Sequence, residues 1–509
     1  MHDLETLKSG GYRAAGLTQL KLTCPLSSFP DEILELGETL EQLDLSGTGL
    51  SSLPSNLGSA LPKLKIALFS DCKFTIFPKE VAACPNLETV AFRNNGMEGI
   101  PEEAFPPRLR CLVLTANRLS SLPSSIGRCT HLQQCLLAGN RLVDLPASMA
   151  QCRNLTLLRL SCNNLTTLPS WLFSLPELAF LSFASNPCAS PAANGASPSS
   201  APFGLAAIPW SSLEIQDDGQ TAIPGQNPSY PALWHQSPHF AEDVDIKLFR
   251  GGGGMTSDEG APADELTTFL AAGAHESLLT VLGRIEGHPD EDDPETHFHG
   301  GLVLQRVPEG YTPLSGGGRG GPTPPLPFPS PSPSFQAQPE TGESFEQPLD
   351  APTALAMLTG LAGAAAHLHA RGIAHGDLAA HSVLASKEDA HALLAGFGAA
   401  TDYGRGSVAA GREGDSYRDG IEKVEVLAFG RLVGDVLGRL GDAQGTRGGE
   451  EGEGKDERAE WIRKGLENLR ERCVKPVVEE RPGFEEVVEV LEGLMGWRGM
   501  MRIPDVGRN

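Results

Sequence analysis

The sequence predicts an α/β repeat solenoid followed by a separate α+β domain. Three observations lead to this fold class. Leucines recur at intervals of 22 to 24 residues through the first third of the chain, a stretch rich in Ala, Ser and Pro follows, and the remainder alternates strand-like with helix-like segments. A repeat of this length is typical of a solenoid, because one unit cannot bury its apolar side alone and must stack on its neighbours.

Composition and net charge exclude a disordered chain and disfavour polyanionic partners. The chain has 509 residues, 40% of them hydrophobic, which is enough to build cores and excludes global disorder. Its 58 Gly and 40 Pro indicate linkers and low-complexity inserts beside the folded parts. With 40 Lys+Arg against 64 Asp+Glu the net charge is −24, which disfavours nucleic acid and anionic membrane surfaces as partners.

The sequence also predicts a compartment. The first twelve residues, MHDLETLKSGGY, lack the cationic start and apolar run of a signal peptide. The longest apolar stretch, Leu355 to Leu368, is shorter than a membrane span requires. We therefore expect a cytoplasmic protein without a membrane span, and its ten cysteines are expected to be free thiols.

The repeat has a detailed pattern, L-x-x-L-x-L-x-x-N-x-L-x-x-L-P, seen for example from Leu109 to Pro123. Each unit predicts a short strand and a turn, with leucines such as Leu112 and Leu114 facing a continuous core. The pattern resembles leucine-rich repeats, and its asparagines are expected to satisfy turn backbone groups with their amides. The repeats begin at Leu17, Leu40, Leu64, Leu87, Leu109, Leu132, Leu155 and Leu178, and the asparagines are Asn117, Asn140, Asn163 and Asn186.

Cysteines in the repeats are predicted to be core residues. Nine of the ten lie in the solenoid, and Cys84, Cys129 and Cys152 share one phase, twenty residues after a repeat start. A small apolar side chain packs inward at that phase, so burial explains them better than metal or redox chemistry.

One face of the predicted solenoid is suited to a partner. The outward strand positions are mostly apolar with few charges of mixed sign, which favours a protein or peptide partner on the concave face. Lateral packing of these side chains against one another is the alternative. The apolar positions are Ile66, Leu68, Val113, Leu136, Leu157 and Phe180, and the charged ones are Lys21, Asp44, Asp71, Arg93 and Arg159.

Composition shifts place the boundaries. The solenoid is predicted over 1–188, a linker over 189–209, the second domain over 210–499 and a tail over 500–509. Disordered inserts are expected near 286–298, 312–348 and 441–458. The His- and acid-rich stretch from His288 to His299 has metal-ligand residue types, but a solvated loop is the better interpretation.

The second domain carries a series of motifs in a recognisable order. A lysine lies in the strand-like DVDIKLF, a glutamate on the helical PADELTTFLAA, an aspartate in the turn IAHGDL, and a GFG segment and an RPGF segment follow. This order resembles a eukaryotic-type protein kinase domain, and HGDLAAHSVL is most similar to leucine-rich-repeat protein kinases. The C-terminal Cys…R-P-x-F residues resemble those of tyrosine-kinase-like serine/threonine kinases, whereas DLAA is also found in tyrosine kinases, so the preference for Ser/Thr or Tyr stays open. The motif residues are Lys247, Glu265, His375, Asp377, Leu378, Gly396–Gly398, Cys473, Arg481, Pro482 and Phe484.

The resemblance implies a bilobal α+β fold, ATP and Mg²⁺ as cofactors, and roles for particular residues. Lys247 would contact nucleotide phosphates and pair with Glu265. Asp377 would be the base for the substrate hydroxyl. Gly219 and Gly225 would belong to the loop that covers the phosphates, although two prolines between and after them, Pro224 and Pro228, depart from that loop's pattern.

Other departures from the pattern determine the expected function. The two metal-binding positions are occupied by Gly396 and Ser382, neither of which supplies a carboxylate for Mg²⁺. Gly376 replaces the arginine of the catalytic loop. These changes favour a pseudokinase that binds nucleotide weakly at most. The alternative is an active serine/threonine kinase that uses Asp377 as base and a substitute ligand such as Asp402.

Overall fold

The computed structural model describes residues 2–189, 205–216, 229–250, 260–292, 298–315, 348–404, 414–441 and 450–496. Gly219, Gly225 and the tail 500–509 lie outside these residues, as do large parts of the expected inserts. The helices are α1 (Leu4–Lys8), α2 (Gly11–Ala14), α3 (Leu57–Ala60), α4 (Pro262–Ala272), α5 (Ala351–Ala370), α6 (Gly414–Leu437), α7 (Glu450–Cys473) and α8 (Phe484–Met495).

The N-terminal third is a solenoid whose eight strands form one parallel sheet in chain order. Every strand begins two residues after a predicted repeat leucine, so the repeat phase is confirmed. The strands are β1 (Gln19–Lys21), β2 (Gln42–Asp44), β3 (Ile66–Leu68), β4 (Thr89–Ala91), β5 (Cys111–Val113), β6 (Gln134–Leu136), β7 (Leu157–Arg159) and β8 (Phe180–Ser182).

A ladder of buried asparagines runs along the turns that follow the strands. The Asn140 amide donates to the carbonyls of Leu114 (3.0 Å) and Leu137 (2.8 Å) and accepts from the Leu119 N–H (3.1 Å). Asn117, Asn163 and Asn186 make the same kind of bonds, as predicted. The ladder extends further towards the N-terminus than the sequence analysis recognised, through Asn95, Cys72 and Thr48.

We expect Asn140→Ala to lower the free energy of unfolding of the solenoid by about 1–3 kcal/mol. The substitution leaves the buried Leu119 N–H without an acceptor, which costs about that much, whereas the Leu114 and Leu137 carbonyls keep the amides of Asn117 and Asn163 as donors. Denaturant unfolding followed by circular dichroism measures the change. Asn164→Ala is the matched control, since Asn164 is exposed and its removal is expected to cost less than about 0.5 kcal/mol. Equal losses in the two variants would contradict the role given to the ladder.

The repeat cysteines are core residues. Cys84, Cys129 and Cys152 are buried free thiols. Burial raises the pKa of Cys84 and Cys152 to about 11 and that of Cys129 to about 12. These thiols are therefore poor nucleophiles and poor metal ligands near neutral pH. Within the described ranges, no group of three or more His, Cys, Asp and Glu side chains is placed to hold a metal ion.

The next segment forms a six-stranded sheet with one helix, α4, packed against it; we call this unit the sheet lobe. The strand order is β10-β11-β12-β14-β13-β9, antiparallel except where β9 pairs with β13. The strands are β9 (Ala206–Pro209), β10 (Leu213–Ile215), β11 (Ser229–Ser237), β12 (Phe240–Arg250), β13 (Val281–Glu286) and β14 (Phe298–Gln305).

Two expectations about this region are corrected. Ala206–Pro209 falls inside the predicted linker but is a strand, because its backbone pairs with β13. The start of the acidic stretch, Pro289–Asp292, is a short 3₁₀ helix rather than part of a disordered insert. It is held by an ion pair between Asp290 and Arg250 (2.8 Å) and by the buried His288 ring, which stacks on Phe298.

Helices α5–α8 form a helical lobe together with short strands. These strands are β15 (Thr312–Pro313), β16 (Ile373–Ala374), β17 (Val383–Ser386), β18 (His391–Leu394) and β19 (Thr401–Asp402). Thr312–Pro313 and the first part of Glu450–Cys473, up to residue 458, lie within predicted inserts, so those inserts are shorter than expected. Helix α5 is long and apolar enough to cross a membrane by length and composition alone. However, 56% of its most apolar window is buried, and it packs against α7 and α8 as a core helix of this lobe.

The solenoid and the C-terminal domain (the two lobes together) share hydrophobic cores. Ala374, Tyr403 and Ile421 of the helical lobe belong to the same buried cluster as the solenoid leucines. Phe180 of the last repeat belongs in turn to the cluster at the centre of the helical lobe. The sequence predicts two units in succession; the tertiary structure adds a broad contact between them.

Candidate functional site

The first part of the site joins the sheet lobe to its helix. Lys247 lies on β12 and Glu265 on the first turn of α4, and their side chains form an ion pair of 2.8 Å. The lysine ammonium lies 5.9 Å and 5.7 Å from the ring centroids of Phe249 and Phe269. The Glu265 side chain is buried and that of Lys247 is only 18% exposed. The structure thus brings together two of the residues singled out in the sequence.

The second part is the loop after β16 that carries Asp377. One carboxylate oxygen lies 3.3 Å from the Arg159 guanidinium, and the other lies 2.7 Å from His381 and 3.5 Å from the Ser382 hydroxyl. Burial alone would raise the pKa of Asp377, but the neighbouring His381 and Arg159 outweigh burial and lower this pKa well below its usual range. Asp377 is therefore a fully engaged carboxylate that resists protonation.

Buried polar groups bind the backbone of this loop. The Gly376 N–H donates to Glu425 on α6, whose second oxygen contacts His369 at 2.7 Å. Burial raises the pKa of Glu425, but the hydrogen bond and charge of His369 lower it by more, so the pKa of Glu425 is below its ordinary value. His375 accepts from the Asp377 N–H (3.3 Å), and burial lowers its pKa. These bonds fix where Asp377 lies.

The two positions that the resemblance assigns to metal binding are adjacent in space. Gly396 has φ +81°, and a Cβ built on it would lie 3.5 Å from the Ser382 hydroxyl. Between them they offer one neutral oxygen. Mg²⁺ in proteins takes carboxylate oxygens together with phosphate and water oxygens, so Gly396 and Ser382 do not fit this ion. Asp377 is the carboxylate beside them, and it is engaged by other side chains.

An aromatic column connects the two parts of the site, and sequence reasoning missed it. Phe269 on α4 packs on Phe397 with ring centroids 4.5 Å apart, and Phe397 meets His375 at 5.3 Å. A sequence signal existed, since Phe269 is four residues after Glu265 and so lies on the same side of the helix. Helix α4 and the loop that carries Asp377 are thus in contact through a continuous series of packed rings.

Residues of the solenoid also reach the site, which no motif indicated. Arg159 on β7 donates to the Gly376 carbonyl (2.8 Å) in addition to contacting Asp377. Phe180 and Leu157 pack against the helical lobe, so these two predicted partner-facing positions make contacts within the chain. The other four apolar positions pack together in a cluster of their own, the alternative that the sequence left open; they are Ile66, Leu68, Val113 and Leu136.

Comparison with known proteins addresses the solenoid. The family model described as Leucine Rich Repeat matches residues 154–175, which span β7. The chain contains a leucine-rich repeat. No curated protein is found that matches the chain.

Two similar solved structures are repeat proteins. A leucine-rich-repeat protein of Leptospira interrogans is 25% identical with a TM-score of 0.30, and the match covers 36% of this chain and 52% of that one. The repeat ectodomain of the plant membrane receptor kinase GASSHO1/SCHENGEN3 from Arabidopsis thaliana, in complex with CASPARIAN STRIP INTEGRITY FACTOR 2, is 31% identical with a TM-score of 0.29. That match covers 31% of this chain and 20% of the other. The matched part of this chain thus spans about half the length of the first protein and about a fifth of the second. The repeats of this chain indicate a protein-interaction function.

Proposed function

We propose that this chain is a partner-binding repeat protein whose C-terminal domain has a protein-kinase-like fold but does not catalyse metal-dependent phosphoryl transfer. The motif order in the sequence is the basis for the kinase-like fold. The antiparallel strands β10–β14 with α4 across them, followed by a helical lobe, support it, since the resemblance implies two such lobes. A protein or peptide in the cytoplasm is the proposed partner, because the charge of −24 disfavours polyanions.

The observation that carries this proposal is the engagement of Asp377. In phosphoryl transfer the corresponding aspartate accepts the proton of the substrate hydroxyl. A general base works best when its pKa lies near the operating pH. Asp377 has both oxygens within 3.3 Å of Arg159 or His381, and its pKa is lowered. It is poorly suited to accept a proton from a substrate.

The metal positions support the same conclusion. Losing one electrostatic contact to a transition state costs about 10²–10³ in rate, and Gly396 and Ser382 remove two carboxylate or amide ligands. The substitute ligand weighed above, Asp402, lies opposite Ile373 in the β16–β19 pair. Because the strands are antiparallel, Asp402 lies at the end of this two-residue pair away from Asp377, and its carboxylate accepts from the Gly404 N–H (3.1 Å), so the proposal assigns it no metal.

One observation favours the alternative of a slow serine/threonine kinase. The Lys247–Glu265 ion pair of 2.8 Å is the contact that the resemblance requires for binding nucleotide phosphates. It is also compatible with a pseudokinase that binds ATP without magnesium. The two functions therefore differ in their dependence on the metal.

The test is the thermal midpoint of the full chain at millimolar ATP with and without Mg²⁺, since a ligand that binds the folded state raises the midpoint. We expect no magnesium-dependent shift and no phosphate transfer to a generic protein substrate. Any metal-independent shift is expected to disappear in Lys247→Met and to persist in the control Lys464→Met, whose side chain is exposed. A magnesium-dependent shift, with transfer that Asp377→Asn abolishes, would overturn the proposal.

A further inference from the structure

We propose that Asp377 is a docking residue and that the seventh and eighth repeats are the intramolecular binding partner of the loop that carries it. In this arrangement Arg159 binds Asp377 and holds the C-terminal domain against β7 and β8 of the solenoid. The inference goes beyond the proposed function, because it assigns an intramolecular role to Asp377 and to one end of the solenoid. It does not depend on whether the domain binds nucleotide.

The ion pair between Arg159 and Asp377 is the first argument. The two side chains are 4% and 7% exposed, so both charges are taken out of water. A buried charge is strongly unfavourable unless it is paired and hydrogen-bonded. Among the residues that the structure describes, the guanidinium meets this requirement with groups of the loop, the Asp377 carboxylate at 3.3 Å and the Gly376 carbonyl at 2.8 Å.

The sequence of the solenoid makes Arg159 an exception. The last positions of the strands β3 to β6 are at the same register as Arg159 and are Leu, Ala, Val and Leu. The other cation at this register, Lys21, is paired within the solenoid to Asp44 at 2.8 Å. A cation next to an apolar column needs an acidic partner, and the structure supplies one from the C-terminal domain.

The close approach of the loop is the second argument. Gly376 has φ +75°, and a Cβ built on it would lie 3.0 Å from the Leu181 carbonyl of β8 and 2.4 Å from the Ala399 carbonyl. No side chain fits between the loop and the solenoid at this point. The closer of the two carbonyls belongs to the helical lobe itself, so the approach of β8 is one of two reasons why the arginine of the kinase pattern is absent here.

The contact extends to both lobes. The Phe183 N–H donates to the Thr401 hydroxyl (3.2 Å) in the helical lobe. The Ser185 hydroxyl donates to the Asp264 carboxylate (2.6 Å) at the start of α4 in the sheet lobe. These bonds lie beside the shared hydrophobic cores described above. An interface with such cores is typical of permanent rather than transient contacts, since permanent interfaces are the more apolar. The last repeats therefore set the position of both lobes.

The test is a double-mutant cycle on the full chain with Arg159→Leu, Asp377→Asn and the two combined. The readout is the opening equilibrium constant of the loop, measured by hydrogen exchange at residues 374–378. Asp377→Asn leaves the buried Arg159 charge with the Gly376 carbonyl as its partner. Arg159→Leu leaves the Asp377 carboxylate with His381 and Ser382. Because each variant removes one charge-assisted contact, each is expected to raise this constant about 10-fold or more. In the double variant the opening equilibrium constant is expected to be no higher than in the single variant with the larger increase. Arg153→Leu is the control, because Arg153 is an exposed arginine six residues before Arg159.

Additive effects of the two substitutions, or an Arg159→Leu variant that exchanges like wild type, would overturn the inference. If a single variant does not fold, Arg159→Lys provides the second measurement. A lysine keeps the charge but cannot serve both loop groups, so an intermediate increase in exchange at 374–378 is expected, and unchanged exchange would again overturn the inference. Metal-dependent phosphate transfer with the coupling intact would overturn the proposed function alone.

Discussion

Replacing Glu425 by alanine is expected to lower the free energy of unfolding of the C-terminal domain by about 2–6 kcal/mol, because the buried His369 ring and the Gly376 N–H each lose a hydrogen-bond partner at about 1–3 kcal/mol apiece. Glu425 is 3% exposed and is hydrogen-bonded to His369 and to the Gly376 N–H. Its removal leaves a buried backbone donor unsatisfied directly beside Asp377. Denaturant unfolding of the full chain, followed by hydrogen exchange at residues 374–378, measures the overall and the local loss.

The effect of Glu425 depends on pH in a defined direction. Its pKa is lowered in the folded protein, so its contribution is fully present above the ordinary glutamate pKa of about 4.3 and is lost as the pH falls through the lower folded value. The difference between wild type and Glu425→Ala is therefore expected to be constant from pH 7 to about pH 5 and to shrink below that. Glu489→Ala, on the exposed side of α8, is the control. A difference that grows on acidification would contradict this account.

Replacing Arg481 by methionine is expected to lower the free energy of unfolding of the protein by about 3–5 kcal/mol. The Arg481 guanidinium is buried and donates to three carbonyls, those of Lys475 (2.8 Å), Lys423 (3.2 Å) and Pro176 (2.6 Å). Burial and the nearby Arg431 lower the pKa of Arg481 to about 10. Each buried carbonyl that loses its donor costs about 1–3 kcal/mol. Because Pro176 belongs to the seventh repeat, the substitution also weakens the contact between solenoid and helical lobe.

Unfolding in denaturant and limited proteolysis near residue 176 measure the effect of Arg481→Met. Lys464→Met is the control, since Lys464 and Glu460 form an exposed ion pair worth about 0–1 kcal/mol. Arg481→Lys is expected to be intermediate, because one ammonium group cannot reach all three carbonyls in the fork geometry of a guanidinium. If lysine restored full stability, the charge rather than the three-way hydrogen bonding would be what matters.

The solenoid could be predicted from sequence in detail because its contacts are local and periodic. Each strand lies at a fixed distance from its repeat leucine, and each ladder asparagine bonds backbone groups of its own or the preceding repeat. Thr48 and Cys72 were missed, since they replace the asparagine of the pattern but perform a similar role with a hydroxyl and a thiol. A pattern search finds residue types, whereas the turn requires only a polar side chain that reaches the carbonyl.

The candidate site could be predicted only in part. The motif order singled out Lys247, Glu265 and Asp377, and the structure places the first two in an ion pair. The lengths of the ordered segments were misjudged where composition resembled a linker, as at Ala206–Pro209, which is ordered by pairing with β13 rather than by its own residues. Gly219 and Gly225 lie outside the described residues, so their assignment stays a prediction.

By itself the sequence determined the repeat phase, the inward-facing core of the solenoid and the absence of carboxylates at Gly396 and Ser382. These are properties of single positions or of a fixed period. The tertiary structure alone decided what Asp377 contacts. Arg159 is 218 residues away along the chain, and no local pattern relates two charges at that separation. Their pairing follows from the way the last repeats pack on the helical lobe, where two buried charges are stable only together.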